Sequence, residues 1–252
     1  MFGICLISRV GTSAKVRPVT LEAHIKVGKE NGVLLDFTLI PSSFLTFINL
    51  QLAARSQKDQ SWKCPKWKYS RLYNFPYPGA HWQPRMRTIV IAVDGGSRGN
   101  NRNNPKSQAA YGVFFGPNCH RNTHGLVPQS APQTSSRAEL EAVRKALELV
   151  QGMKQAGEIE DWREIIIKLD SDYVAKSLGE YIWTWESNGF MTRKGTPVEH
   201  ADLIRELHGT ITQLEQDGAV RFWRVGREWN READALVNQA LDDAADSGYE
   251  EA

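Results

Sequence analysis

From residue 88 onward the chain alternates short apolar runs with amphipathic stretches, in an order that restricts how a sheet can be assembled. TIVIAV (88–93) reads as a buried strand ending at Asp94, and AYGVFFG (110–116) and HGLVP (124–128) as two further strands with turn residues between them. A helix follows over about 136–151, with Leu140, Val143, Leu147 and Val150 on one face. EIIIKL (164–169) is a fourth strand, 172–178 a short helix and 198–214 an amphipathic helix; AVRFWRV (219–225) is a fifth strand and 230–242 a last helix. The order is βββαβααβα. Three strands in succession imply an antiparallel meander, while strands four and five, each reached through helices, add in parallel. The expected class is α/β, with a five-stranded mixed sheet of three antiparallel and two parallel strands.

The 252-residue length allows one generous domain, or a domain with a sizeable appendage. A net charge of +2 is too mild to name a partner. Cys5, Cys64 and Cys119 are scattered and fit no metal-ligand spacing, which argues against a disulfide framework or a structural zinc. The first twenty residues carry Arg9, Lys15 and Arg17 and no acid, a weak resemblance to a mitochondrial transit peptide or a plain basic tail. VLLDFTLIPSSFLTFINLQLAA is interrupted by Asp36, Pro41 and Ser42-Ser43, so a packed segment is expected there in place of a membrane span. Residues 1–60 receive no fold assignment and are expected to be partly disordered. Residues 61–87 interleave six Lys/Arg with seven aromatics, contain no acid and hold four prolines. They are expected to form an extended arm without regular sheet, one that either contacts nucleic acid or packs its rings on the following domain. Residues 244–252 form an acidic tail.

Four carboxylates stand at the ends of these elements. Asp94, in VDGGSRGN, reads alone as a turn aspartate before glycines. Glu139, in QTSSRAELEAV, has the S-x-x-E spacing from Ser136 of a capping box. Asp170, in KLDSDYV, reads alone as a helix N-cap, a role shared with Ser171 or Asp172, and Asp234, in NREADALVNQAL, as a first-turn acid that complements the helix dipole. Together they have another meaning: two leave core strands, two come from helix N-terminal turns, and the four can converge at one sheet edge. Clustered carboxylates repel one another unless a cation joins them, and an all-oxygen set suits Mg²⁺ or Mn²⁺. A dinucleotide site is disfavoured, because the glycine loop lacks GxGxxG and runs into a strand where a phosphate-binding helix should begin.

In VDGGSRGN, QTSSRAELEAV, LDSDYVAKSL and NREADALVNQAL, taken in this order over about residues 88–241, the chain resembles a type 1 ribonuclease H. The resemblance implies a ribonuclease H-like fold with helices on both faces of the sheet. It also implies an endoribonuclease that hydrolyses the RNA strand of RNA/DNA hybrids with two divalent ions, leaving 3′-hydroxyl and 5′-phosphate ends. Carried over, Asp94, Glu139, Asp170 and Asp234 are the metal ligands, and Glu139 also meets an RNA 2′-hydroxyl. Asn100, Ser135 and Ser136 fall at minor-groove contacts, Thr134 at a DNA-phosphate pocket, and Tyr181 and Trp185 where aromatics meet deoxyribose. Asp172 falls outside the ligand set and is expected only to favour its helix dipole.

The departures matter as well. Ser135 and Ser136 stand where longer side chains are common, Pro132 where some relatives place an Arg, and Glu186-Ser187 where others have a lysine pair. Losing two phosphate contacts lowers hybrid affinity by about a decade, which the basic arm is placed to offset. WRVGREWNREAD is shorter than the family's usual loop and contains no His, leaving Arg227 as the nearest cation and slower turnover as the expected consequence. The alternatives are a catalytically weak hybrid-binding module and a retroelement-derived domain. The expectation is a free-standing, monomeric host enzyme without a membrane partner, intracellular in nucleus, cytoplasm or mitochondrion.

Overall fold

The computed structural model describes residues 5–8, 61–63, 69–74, 83–84, 87–99, 107–159 and 162–247. At its centre lies the long strand β5. β1 is Cys5–Ser8, β2 Ser61–Lys63, β3 Ser70–Asn74, β4 Gln83–Pro84, β5 Thr88–Arg98, β6 Gln108–Phe114 and β7 Thr123–Leu126. Beyond helix α1 (Ser135–Gln155) come β8 (Glu164–Leu169) and β9 (Ala219–Arg224). β6 pairs antiparallel with β5 and β7, whereas β8 pairs parallel with β5 and β9, giving the order β7-β6-β5-β8-β9. This is the expected five-stranded mixed sheet. Its central strands are buried because both faces are covered: Ile89, Ile91, Ile165, Ile166 and Ile167 are all at most 1% exposed.

Segments preceding residue 87 extend this sheet. β3 pairs β5 through Ser70↔Val90, β2 and β4 pair β3, and β1 pairs β9 antiparallel. Regular sheet was not expected over 61–87, yet it forms there, because the strands fit between the prolines: Pro65, Pro76 and Pro78 lie outside them, and Pro84 sits in the two-residue β4. Tyr69 is buried in the main core, and the Ser70 N–H donates to Phe115 O at 2.7 Å. At this point of the arm, then, a ring packs on the domain that follows. Arg9, Lys15 and Arg17 of the basic N-terminus, the apolar stretch 33–54 and most of the arm lie outside the described residues.

The strand boundary at Asp94 differs from expectation. β5 does not stop there but continues through Gly95 and Gly96, which pair with Tyr111 and Ala110. The glycines serve close packing. A Cβ on Gly95 would stand 2.1 Å from the Glu139 backbone N in α1, and one on Gly112, opposite Asp94, 2.5 Å from Ala233 O in the last helix. Successive strand residues face opposite sides, so α1 and the last helix clasp β5 from its two faces.

The N-terminus of α1 also corrects the sequence reading. Thr134 is the N-cap, its hydroxyl accepting the Arg137 N–H at 3.2 Å. Glu139 is therefore the fifth helical residue, too deep to reach back, and the Ser136–Glu139 capping box does not form. Leu140, Val143, Leu147 and Val150 are buried as the periodicity predicts.

After β8 the chain forms α2 (Asp172–Lys176), a π turn (Ser177–Tyr181) and α3 (Ile182–Ser187), a helical path longer than the expected 172–178. α4 (Ala201–Leu214) begins three residues later than expected, because His200 takes a left-handed conformation with φ 58°, which an α-helix does not continue through. α5 (Arg231–Ser247) extends five residues past the expected end.

Candidate active site

Strand register builds the site. Ala92 pairs with Lys168 in the parallel ladder, so Asp94 and Asp170, two residues beyond each, stand level at the sheet edge. Asp94, Glu139, Asp170 and Ser171 line one cleft over a floor of Val93, Val143 and Leu169. Glu139 enters from α1 because Gly95 lets that helix approach the strand. Asp234 enters from the first turn of α5, where its N–H donates to Asn230 O at 3.1 Å. Asn230 in turn donates from Nδ2 to Val93 O at 2.9 Å, pinning the start of α5 beside the residue that precedes Asp94.

Asp94 feels the charges of the other three acids. Burial raises the Asp94 carboxyl to about 7, and the charges of Asp170, Asp234 and Glu139 add to the rise against a lowering hydrogen bond from the Gly95 N–H. Burial also raises Glu139, reinforced by Asp170 and opposed by the Ser171 hydroxyl and Arg227. Each acid leans on a protein donor: Ser171 Oγ donates to Glu139 Oε2 at 2.5 Å, Arg227 Nε lies 3.4 Å from Asp170 Oδ2, and Asn238 Nδ2 donates to Asp234 Oδ2 at 3.2 Å. Among the described residues no three Asp, Glu, His or Cys side chains already stand at metal-ligand spacing. The donor set nonetheless fits a hard divalent cation: it is all carboxylate, and both the burial that lifts Asp94 and the repulsion that adds to it are what a cation would offset.

The other sequence-predicted residues fall in three places. Thr134, Ser135 and Ser136 form the start of α1, with Ser135 Oγ 3.0 Å from Ser97 Oγ on β5. The Thr134 oxygen accepts from the helix, which leaves its hydroxyl proton free to donate outward. Tyr181 and Trp185 lie one helical turn apart along the π turn and α3, with ring centroids 5.6 Å apart, and Tyr181 is 43% exposed. Asn100 lies outside the described residues. Asp172 points away from the acids, pairing with Lys176 at 2.7 Å and Arg224 at 3.7 Å.

A family model described as RNase H matches residues 86–242, more than half of the chain. The chain belongs to the ribonuclease H family. Ribonuclease H of Phenylobacterium zucineum is 32% identical over 162 residues, covering 62% of this chain and 92% of that protein. That of Paracidovorax citrulli is 29% identical over 164 residues, covering 63% and 97%. The Schizosaccharomyces pombe protein is 36% identical over 116 residues, which span 46% of this chain and 38% of that protein.

Within this ribonuclease H domain the loop expected to lack a histidine is the turn Arg227–Trp229 between β9 and α5. It delivers Arg227 to Asp170. The Arg227 side chain is 94% exposed, so this is a solvent-screened contact that a competing cation can displace. Sequence reasoning missed Asn230 and Asn238; their signals, an Asn just before a helix and an Asn four residues after an acid, are too common to single out.

Proposed function

We propose that the chain is an endoribonuclease that hydrolyses the RNA strand of RNA/DNA hybrids, leaving 3′-hydroxyl and 5′-phosphate ends. The observation that carries this reading is the convergence of Asp94, Glu139 and Asp170 on one cleft, where burial, and after it the charges of Asp170, Asp234 and Glu139, lift the Asp94 carboxyl to about 7. Asp94, Glu139, Asp170 and Asp234 would hold two ions, Mg²⁺ or Mn²⁺. When bound, such ions supply Lewis-acid stabilisation of the charge that develops on the phosphodiester. Ser171 orients Glu139 by its hydrogen bond, and Asn230 fixes α5 so that Asp234 meets the acids of the sheet. Glu139, beside a ribose, would accept from the 2′-hydroxyl that distinguishes RNA from DNA.

On the DNA side, the Tyr181 and Trp185 rings offer apolar faces to deoxyribose, and the Thr134 hydroxyl a donor to phosphate. Ser135, Ser136 and Asn100 would meet the minor groove. The enzyme is proposed to act as a monomer; among the described residues no helix is long and apolar enough to cross a membrane.

The test is a substrate panel in Mg²⁺ of hybrid, double-stranded RNA, single-stranded RNA and double-stranded DNA, each labelled at one end. Metal-dependent cleavage of the RNA in the hybrid alone is expected. Hybrid binding without cleavage in either Mg²⁺ or Mn²⁺ would favour the binding-module reading.

A pH dependence follows from Asp94. Its carboxyl is raised in the folded chain from 3.8 to about 7, so below about 7 a proton competes with a divalent cation for it. Mn²⁺ affinity, measured by titration calorimetry, should fall as pH drops from 8 to 6. The metal-free protein should respond oppositely. A raised folded-state value contributes stability that is fully present below the unfolded value and is lost as pH rises through about 7. From this group, metal-free melting temperature should therefore be higher at pH 6 than at pH 8, and saturating Mg²⁺ should remove the difference.

A further inference from the structure

Beyond the four acids, a chain of side chains crosses from β5 to α5. Alternation places Asp94, Gly96 and Arg98 on the face of β5 that α5 covers, where a Cβ on Gly96 would lie 3.1 Å from Val237 Cγ1. On α5, Asp234, Asn238 and Asp242 recur every four residues and so form one stripe. Arg98 meets the far part of that stripe, donating from Nη1 to Asp242 Oδ1 at 2.5 Å and from Nη2 to Asn238 Oδ1 at 3.3 Å. Asn238 then donates from Nδ2 to Asp234 Oδ2 at 3.2 Å and to Asp234 O at 3.0 Å. A guanidinium only donates and a carboxylate only accepts, so the amide between them has a single orientation.

We propose that Asn238, itself held by Arg98, is the positioning residue that sets the Asp234 carboxylate for cation binding. The inference rests on reading the four acids as a ligand set. Its physical content lies in the neutrality of the link. Arg98 places its charge against Asp242, and an uncharged amide stands between it and Asp234. Asp234 is thus oriented without being neutralised, and its charge stays available to a divalent ion. The same link ties the strand that carries Asp94 to the helix that carries Asp234, fixing the spacing of two acids from different elements.

The pairing of Arg98 with Asp242 contributes little to folding, because the two side chains are 47% and 64% exposed. A positioning role therefore shows in cation affinity, whereas a merely structural one shows in melting temperature. The full chain is titrated with Mn²⁺ by calorimetry, as wild type, Asn238→Leu, Asn238→Gln, Arg98→Met and the double variant Arg98→Met/Asn238→Leu. Asn238→Leu, which fills similar volume without the amide, should weaken Mn²⁺ binding about tenfold, the low end of what loss of a residue that orients a metal ligand costs, because this hydrogen bond is exposed. Its metal-free melting temperature should stay within about 2 °C of wild type, as for surface substitutions. Asn238→Gln, which keeps the donor, should bind within about threefold of wild type, and the double variant no more weakly than Asn238→Leu alone, because the two residues act in series.

Wild-type affinity in Asn238→Leu would overturn the proposal. Full additivity in the double variant would overturn the part assigned to Arg98. Wild-type protein that takes up no Mn²⁺ would overturn the ligand-set reading and this proposal together, whereas uptake sensitive to Asp94→Asn but not to Asn238→Leu would overturn this proposal alone.

Discussion

Asp170→Asn should lower hybrid cleavage about a thousandfold or more while leaving the fold intact, because it removes a negative charge where Asp94, Glu139 and Asp170 share one cleft. The substitution keeps the volume and relieves repulsion on Asp94, so metal-free stability should hold or rise, as when a charged active site gives up function for stability. Asp172→Asn is the internal control. Asp172 is two residues away in sequence, yet its carboxylate is turned to Lys176 and Arg224 at a half-exposed position. Activity within about threefold of wild type is expected, since exposed ion pairs contribute at most about 1 kcal/mol. Comparable losses in the two variants, in single-turnover cleavage of labelled hybrid, would mean that the two aspartates had been assigned the wrong way round.

The second large effect is expected at Gly95, where alanine should destabilise the protein by about 3 kcal/mol or more, or prevent folding. The new methyl would meet backbone atoms, Glu139 N at 2.1 Å and Ala138 C at 2.2 Å, so no side-chain rotation relieves the clash and α1 must withdraw from β5. Withdrawal also carries Glu139 away from the other acids, so any folded fraction should be poorly active. Gly209, inside α4, is the contrasting case. Nothing lies within 4 Å of a Cβ there, and Gly209→Ala should stabilise by about 0.5–1 kcal/mol through helix propensity. Urea unfolding of the two variants beside wild type measures both signs in one experiment.

The legible parts of this sequence were those where one physical requirement dominates locally. EIIIKL has no polar interruption between Glu164 and Lys168 and forms a buried strand with the predicted bounds. The apolar stripe of α1 likewise follows from its spacing alone. The four acids were legible as a set because their order and contexts together resemble one family, although each had a sufficient local explanation. The structure removes two of those explanations: Thr134 takes the cap assigned to Ser136, and Ser171 takes the one considered for Asp170.

What the sequence hid was decided by distant partners. Gly95 and Gly96 look like a turn, but the ladder to Tyr111 and Ala110 carries the strand through them, and the helices that pack on them, α1 on Gly95 and α5 on Gly96, lie far along the chain. Asn230 bonds to Val93 across 137 residues and Arg98 to Asn238 across 140, and neither separation leaves a local pattern to read. The β3 pairing with β5 was hidden differently, because prolines mark where sheet cannot run without excluding short strands between them.

Anomalous diffraction from crystals soaked in Mn²⁺ shows whether Asp94, Glu139, Asp170 and Asp234 form one cation site. Two anomalous peaks about 4 Å apart, enclosed by these four side chains, are the expected result. Saturating Mn²⁺ with no peak among the four carboxylates, or with peaks only elsewhere on the chain, would contradict it.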